Sequence, residues 1–163
     1  MNILVEIDGV LRSQDHSPIP VGVRMVGTLT VYNRLAIMAP DSDEDIRYWL
    51  DSHKIVDIDD IIDSSVGLAS EPLAHRQITH ARSRGAVELF ITNNPSHWAY
   101  AFELGIPCVM FGQPSYTRVE FRPDAPSRVR AWNDIEEAIR KENIVRTQDA
   151  RFNREDEGAR FDG

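Results

Sequence analysis

The chain has 163 residues, 42% of them hydrophobic, and a formal net charge of −8 from 26 acidic side chains against 18 Lys and Arg. That length suffices for one domain that removes about two thirds of its unfolded surface from water, so neither a disulfide framework nor a structural metal is required for folding. The acidic balance disfavours broad nucleic-acid binding, and no run approaches the roughly 20 apolar residues of a membrane span. Met1 leads straight into an apolar strand rather than a leader, so a cytoplasmic protein is the expectation.

The first predicted element, within Asn2 to Leu11, is an apolar strand that runs into two acids, Glu6 and Asp8, and the turn Gly9-Val10-Leu11. Acids at i and i+2 point to the same side of a strand, and at its C-terminal end they face the crevice where open parallel sheets bind ligands. Ser13 to Pro20 is polar and proline-punctuated, a loop or small flap too short for an inserted cap domain. Val23, Val26, Leu29 and Tyr32 recur at helical spacing within Val21 to Tyr32 despite Gly22 and Gly27, and Arg34 to Ala39 reads as a short strand. Pro40 to Asp45 resembles a helix N-terminus, with acids that complement the helix dipole and Ile46, Trp49 and Leu50 as the apolar face.

Lys54 to Ser65 mixes isoleucines with aspartates and gives no clean period. Glu71 to Arg84 is a predicted helix entered through Ser70 and ended by Gly85. Val87 to Ile91 is a strand, Pro95 to Leu104 a helix, and Cys108 to Phe111 another strand whose single cysteine reads as a buried, inert thiol. Gln113 to Ser127 is a proline-rich loop, and Trp132 to Glu142 a last amphipathic helix with Trp132, Ile135 and Ile139 on one side. Strand and helix alternate, which predicts an α/β fold, a three-layer sandwich with a mostly parallel sheet.

The domain is expected over residues 1–145, followed by a polar tail over 146–163 that carries a short echo, Ala150-Arg151-Phe152-Asn153 and Ala159-Arg160-Phe161-Asp162. Arg118, Arg122, Arg128 and Arg130 could form a patch for a phosphate or an acidic partner, against the plainer reading of solvated charges. His75 and His80 are spaced wrongly for a helical zinc pair, and no Walker loop, Gly-x-Gly-x-x-Gly or Gly-x-Ser-x-Gly occurs.

The strand with two acids, the Gly-Val-Leu turn, and the later strand Val87 to Ile91 with Thr92-Asn93-Asn94, its helix and Gly105-Ile106 follow one another as in the haloacid dehalogenase-like superfamily, which this chain resembles over most of residues 2–111. The resemblance implies a capless Rossmannoid domain whose crevice holds magnesium and a phosphoryl group. By position, Glu6 stands where the family has its aspartate nucleophile, and Asp8 keeps the general acid/base place. Glu6, Asp8, Asn93 and His97 stand at the metal positions, the last two replacing aspartates. Ala39 or Pro40 falls where a Ser or Thr would bind phosphate, leaving Ser42 as a substitute. Glu71-Pro72 falls where a lysine is expected, leaving Arg76 or Arg82; Asn93 is also a candidate phosphate contact.

Glu6 is one methylene longer than aspartate, a misplacement on the order of an ångström that can cost about 100-fold. The loss of two charged ligands weakens a hard-cation site further. The resemblance therefore implies a protein degenerate at its active site, lacking standard phosphatase turnover and acting in binding or assembly. Its partner would be a protein met through the tail or the 113–127 loop, with self-association also open. The alternative is a divergent magnesium-dependent phosphohydrolase that uses Glu6 and Asp8 on a large substrate, a phosphorylated protein or a polynucleotide end. A third reading is a sensor that binds a phospho-ligand without turnover.

Overall fold

In a computed structural model, residues 1–113 and 118–149 are described. Five strands form one sheet: β1 (Asn2–Glu6), β2 (Arg34–Met38), β3 (Asp60–Ile62), β4 (Leu89–Thr92) and β5 (Cys108–Met110). Every pairing is parallel and the order is β3-β2-β1-β4-β5. Helices α1 (Pro20–Leu29), α2 (Asp43–Ser52), α3 (Leu73–Arg84) and α4 (Pro95–Glu103) connect the strands, and α5 (Asn133–Gln148) follows a short 3-10 turn at Val119–Phe121. The expected α/β architecture with a parallel sheet flanked by helices is what forms.

Side chains alternate across the pleat, so each strand feeds two cores. Ile3, Val5 and Ile7 from the β1 region join Leu35 and Ile37 of β2 against Val26 of α1 and Ile46, Trp49 and Leu50 of α2. On the other face Leu4, Met38 and Phe90 meet Ala74 and Ile78 of α3 and Ala101 of α4. Both faces of the inner strands are therefore buried, as near-continuous apolar runs require in a parallel sheet.

Several boundaries differ from the sequence expectation. Lys54 to Ser65 resolves into an irregular approach with positive φ at Lys54 and Asp57, then the three-residue β3. α3 begins at Leu73 after Pro72, with no side-chain cap, so Ser70 does not cap it. α5 runs to Gln148, past both the expected helix end and the expected start of the tail. It buries Ile135 and Ala138 but leaves Ile139 42% exposed, so Ile139 does not belong to its inner face. The paired phenylalanine echo at 150–153 and 159–162 lies outside the described residues, as do residues 114–117 of the proline-rich loop. No described helix is long and apolar enough to cross a membrane.

Cys108 is half-buried rather than fully buried. Burial pushes its thiol up to about 12, and its Sγ lies 3.0 Å from the Ile106 carbonyl oxygen. The thiolate is the reactive form, so alkylation of native protein by iodoacetamide at pH 8 should run at least about 100-fold slower than in urea. Equal rates in the two conditions would show that Cys108 is open to solvent.

Candidate functional site

The sheet order reverses between β1 and β4, and ligands of open α/β sheets bind outside the carboxyl ends of the strands at such a switch point. Glu6 ends β1 and Thr92 ends β4, so both stand there. Beyond β1 the chain turns at Gly9, whose φ of +80° is left-handed. A Cβ on Gly9 would come 2.6 Å from the Cβ of Asn93, so only glycine lets the two loops close on each other.

The turn satisfies its own amides. Leu11 N and Arg12 N both donate to the Ile7 carbonyl at 2.9 Å, and Gly9 N donates to the Arg12 carbonyl at 2.8 Å. This winding brings Arg12 back beneath Asp8. Arg12 Nε donates to Asp8 Oδ1 at 2.7 Å and Nη2 donates to Asp41 Oδ2 at 2.7 Å. The guanidinium also lies over the ring of Trp49, 6.0 Å from its centroid. Burial by itself disfavours its charge, but the hydrogen bonds and charges of Asp8 and Asp41 more than offset that, and its pKa is raised.

Glu6 is held from the other side. Thr92 Oγ1 donates to Glu6 Oε2, and His97 Nδ1 lies 2.9 Å from Oε1 and 3.0 Å from Oε2. A carboxylate only accepts, so this ring nitrogen carries the proton. Asn94 Nδ2 approaches His97 Nε2 at 3.3 Å, which suits the same tautomer. Asn94 also caps α4, taking the Ser96 amide at 3.0 Å, while its own amide donates to Thr92 Oγ1 at 2.9 Å. Close by, His75 stacks on Tyr100 with ring centroids 3.7 Å apart; burial, and the charge of His97, lower its pKa.

Of the residues singled out in the sequence, Glu6, Asp8, Asn93 and His97 are brought together at one end of the sheet. Asn93 is buried and donates from Nδ2 to the Phe111 carbonyl at 2.6 Å. Ser42 instead caps α2, accepting the Asp45 amide at 3.3 Å and donating to Asp45 Oδ2 at 2.7 Å. Arg76 donates to the Val66 carbonyl at 2.8 Å and does not line the crevice cavity. At the place expected for a phosphate-binding hydroxyl, Pro40 borders the crevice cavity, while the two hydrogens of Gln77 Nε2 are shared among the carbonyls of Ala39 at 2.6 Å, Ile62 at 2.9 Å and Asp63 at 2.9 Å. Arg118, Arg122 and Arg130 are paired with Glu120, Asp124 and Glu136, which favours solvated ion pairs over a free basic patch.

Arg12, Thr92 and Gln77 carry much of this geometry and were not among the sequence candidates. Arg12 follows Asp8 by four residues, but its burial depends on Asp41, far along the chain. For Thr92, its place just ahead of Asn93-Asn94 at a strand end was the available signal.

The donor set does not fit the magnesium expected from the resemblance. Magnesium needs oxygen donors in near-octahedral array. Here Glu6 is tied to His97 and Thr92, Asp8 to Arg12, and the Asn93 amide nitrogen to a backbone carbonyl. No group of three or more His, Cys, Asp or Glu side chains among the described residues is arranged to hold a metal ion. What remains is a cavity of about 340 Å³ bordered by Glu6, Asp8, Asp41, Asn93, Asn94 and Arg118, with Arg12 at its floor. No family model matches the chain, and neither a curated protein nor a solved structure matches it.

Proposed function

We propose that this chain is a haloacid dehalogenase-like domain whose crevice binds a ligand or partner and does not turn over phosphomonoesters. The observation that carries this reading is the double ion pair of Arg12 with Asp8 and Asp41. An acid that protonates a leaving group is free to turn toward it, whereas Asp8 is anchored through Oδ1 to the buried Arg12 and has only Oδ2 left for the cavity. A nucleophilic carboxylate likewise needs a free oxygen in line with phosphorus. Glu6 has both oxygens beside His97 Nδ1 and one of them accepting from Thr92. Glu6 is thus engaged through both oxygens and Asp8 through one, which supports a use of these acids in holding the crevice rather than in turnover.

The test is release of phosphate from a generic phosphomonoester by the intact chain, with and without magnesium, beside Asp8→Asn. Turnover indistinguishable from buffer in both proteins is expected. Magnesium-dependent turnover that Asp8→Asn abolishes would overturn the proposal and establish the divergent phosphohydrolase instead.

A further inference from the structure

The crevice cavity adjoins a second one of about 500 Å³, the two sharing Asn93 and Phe121 as a common border. Both volumes fall in the range of about 300–1,000 Å³ usual for small-molecule sites. The second chamber is walled by Met110, Phe121, Pro123 and Trp132. Its rings are fixed rather than loose: Trp132 Nε1 donates to the Phe121 carbonyl at 2.8 Å, and the Ala131 amide donates to the Glu120 carbonyl at 2.8 Å. Arg122, at its edge, spends its charge on Asp124 through bonds of 3.0 and 2.7 Å. Arg118 covers one face of Phe121, its guanidinium 5.5 Å from the ring centroid, and the chamber offers its remaining aromatic and apolar surface to a flat ring.

The first chamber offers the opposite. Arg12 has a side chain only 5% exposed, while its partners Asp8 and Asp41 are 43% and 32% exposed. The cation lies under the carboxylates, so oxygen acceptors face the cavity. The amides of Gly9, Leu11, Arg12 and Asn94 are spent on internal acceptors. An anion would find the carboxylates of Glu6, Asp8 and Asp41, and at the border Arg118, whose charge is already met by Glu120 at 2.8 Å, whereas hydroxyl groups could donate to Asp8 and Asp41 in charge-assisted hydrogen bonds.

We infer that the two chambers form one site for a nucleoside-like ligand, an aromatic ring against Phe121 and Trp132 joined to hydroxyl donors facing Asp8 and Asp41, with no phosphate. This rests on the reading that the crevice binds without hydrolysis, and it inverts the ligand polarity expected from the family resemblance.

The experiment is calorimetric titration of the intact chain with the four common ribonucleosides and their 5′-monophosphates, with inorganic phosphate release measured in the same samples. At least one nucleoside should bind with Kd below about 1 mM, and its monophosphate at least about tenfold more weakly. Trp132→Leu, and separately Phe121→Leu, should weaken that nucleoside by about tenfold or more, with folding checked by circular dichroism. Absence of nucleoside binding to the intact chain would overturn the inference, as would tighter binding of the monophosphate. Phosphate release would overturn the non-catalytic reading instead, so the two failures are told apart.

Discussion

Gly22→Ala is expected to prevent stable folding, while Gly27→Ala, in the same helix, should raise stability. A Cβ on Gly22 would sit 1.7 Å from the Val10 carbonyl oxygen and 2.8 Å from its carbon. Those are backbone atoms in the turn that also carries Asp8 and Arg12, so α1 cannot yield without displacing the crevice. Overpacking usually costs about 1–3 kcal/mol, and a clash this deep against main chain should exceed about 4 kcal/mol. At Gly27 nothing lies within 4 Å of the added carbon, and replacing glycine by alanine inside a helix gains about 0.5–1 kcal/mol. Thermal and urea unfolding of the two variants would check this. A soluble Gly22→Ala protein with unchanged Tm would show that α1 does not rest on the Val10 turn.

Arg12→Met should be the most damaging change in the crevice itself. Methionine keeps an apolar stem but loses the guanidinium over Trp49 and leaves Asp8 and Asp41 without their shared cation. Removing one partner of a buried pair costs about 3–5 kcal/mol. Because the two aspartates are partly open to water, which screens them, about 2–3 kcal/mol is the expected loss in urea unfolding. Adding Asp8→Asn and Asp41→Asn to the Arg12→Met protein removes the uncompensated charge and should restore about 1 kcal/mol. A loss under about 0.5 kcal/mol for Arg12→Met would mean that solvent, not Arg12, satisfies the aspartates.

The layered fold was legible because local signals agreed. The β1 run, the proline and asparagine opening of α4, and the apolar spacing of α2 each show in a few consecutive residues. β3 was not, because a three-residue strand preceded by two left-handed non-glycine residues leaves no period to detect. Within the site, the acids at positions 6 and 8 marked the correct end of the sheet, and Asn93 and His97 arrived beside them. Their partners were hidden by distance along the chain. Glu6 meets His97 across 91 positions, and Arg12 meets Asp41 across 29. A sequence window sees Arg12 as one more solvated charge after a turn. Its burial follows only once β2 delivers Asp41 to the same crevice. Ser42 shows the converse: it matched a ligand position by proximity, but the helix it begins claimed its hydroxyl first.

The shortness of the two outer strands bears on how this protein could recruit anything larger than a small molecule. β3 and β5 each span three residues, and Asp60 on β3 is held by Arg84 at 2.6 Å. A guest chain that extends a sheet needs a long open ladder of amides and carbonyls, and two borders of three residues each, one of them charged, offer little of it. Recruitment by strand addition is therefore discouraged on both flanks.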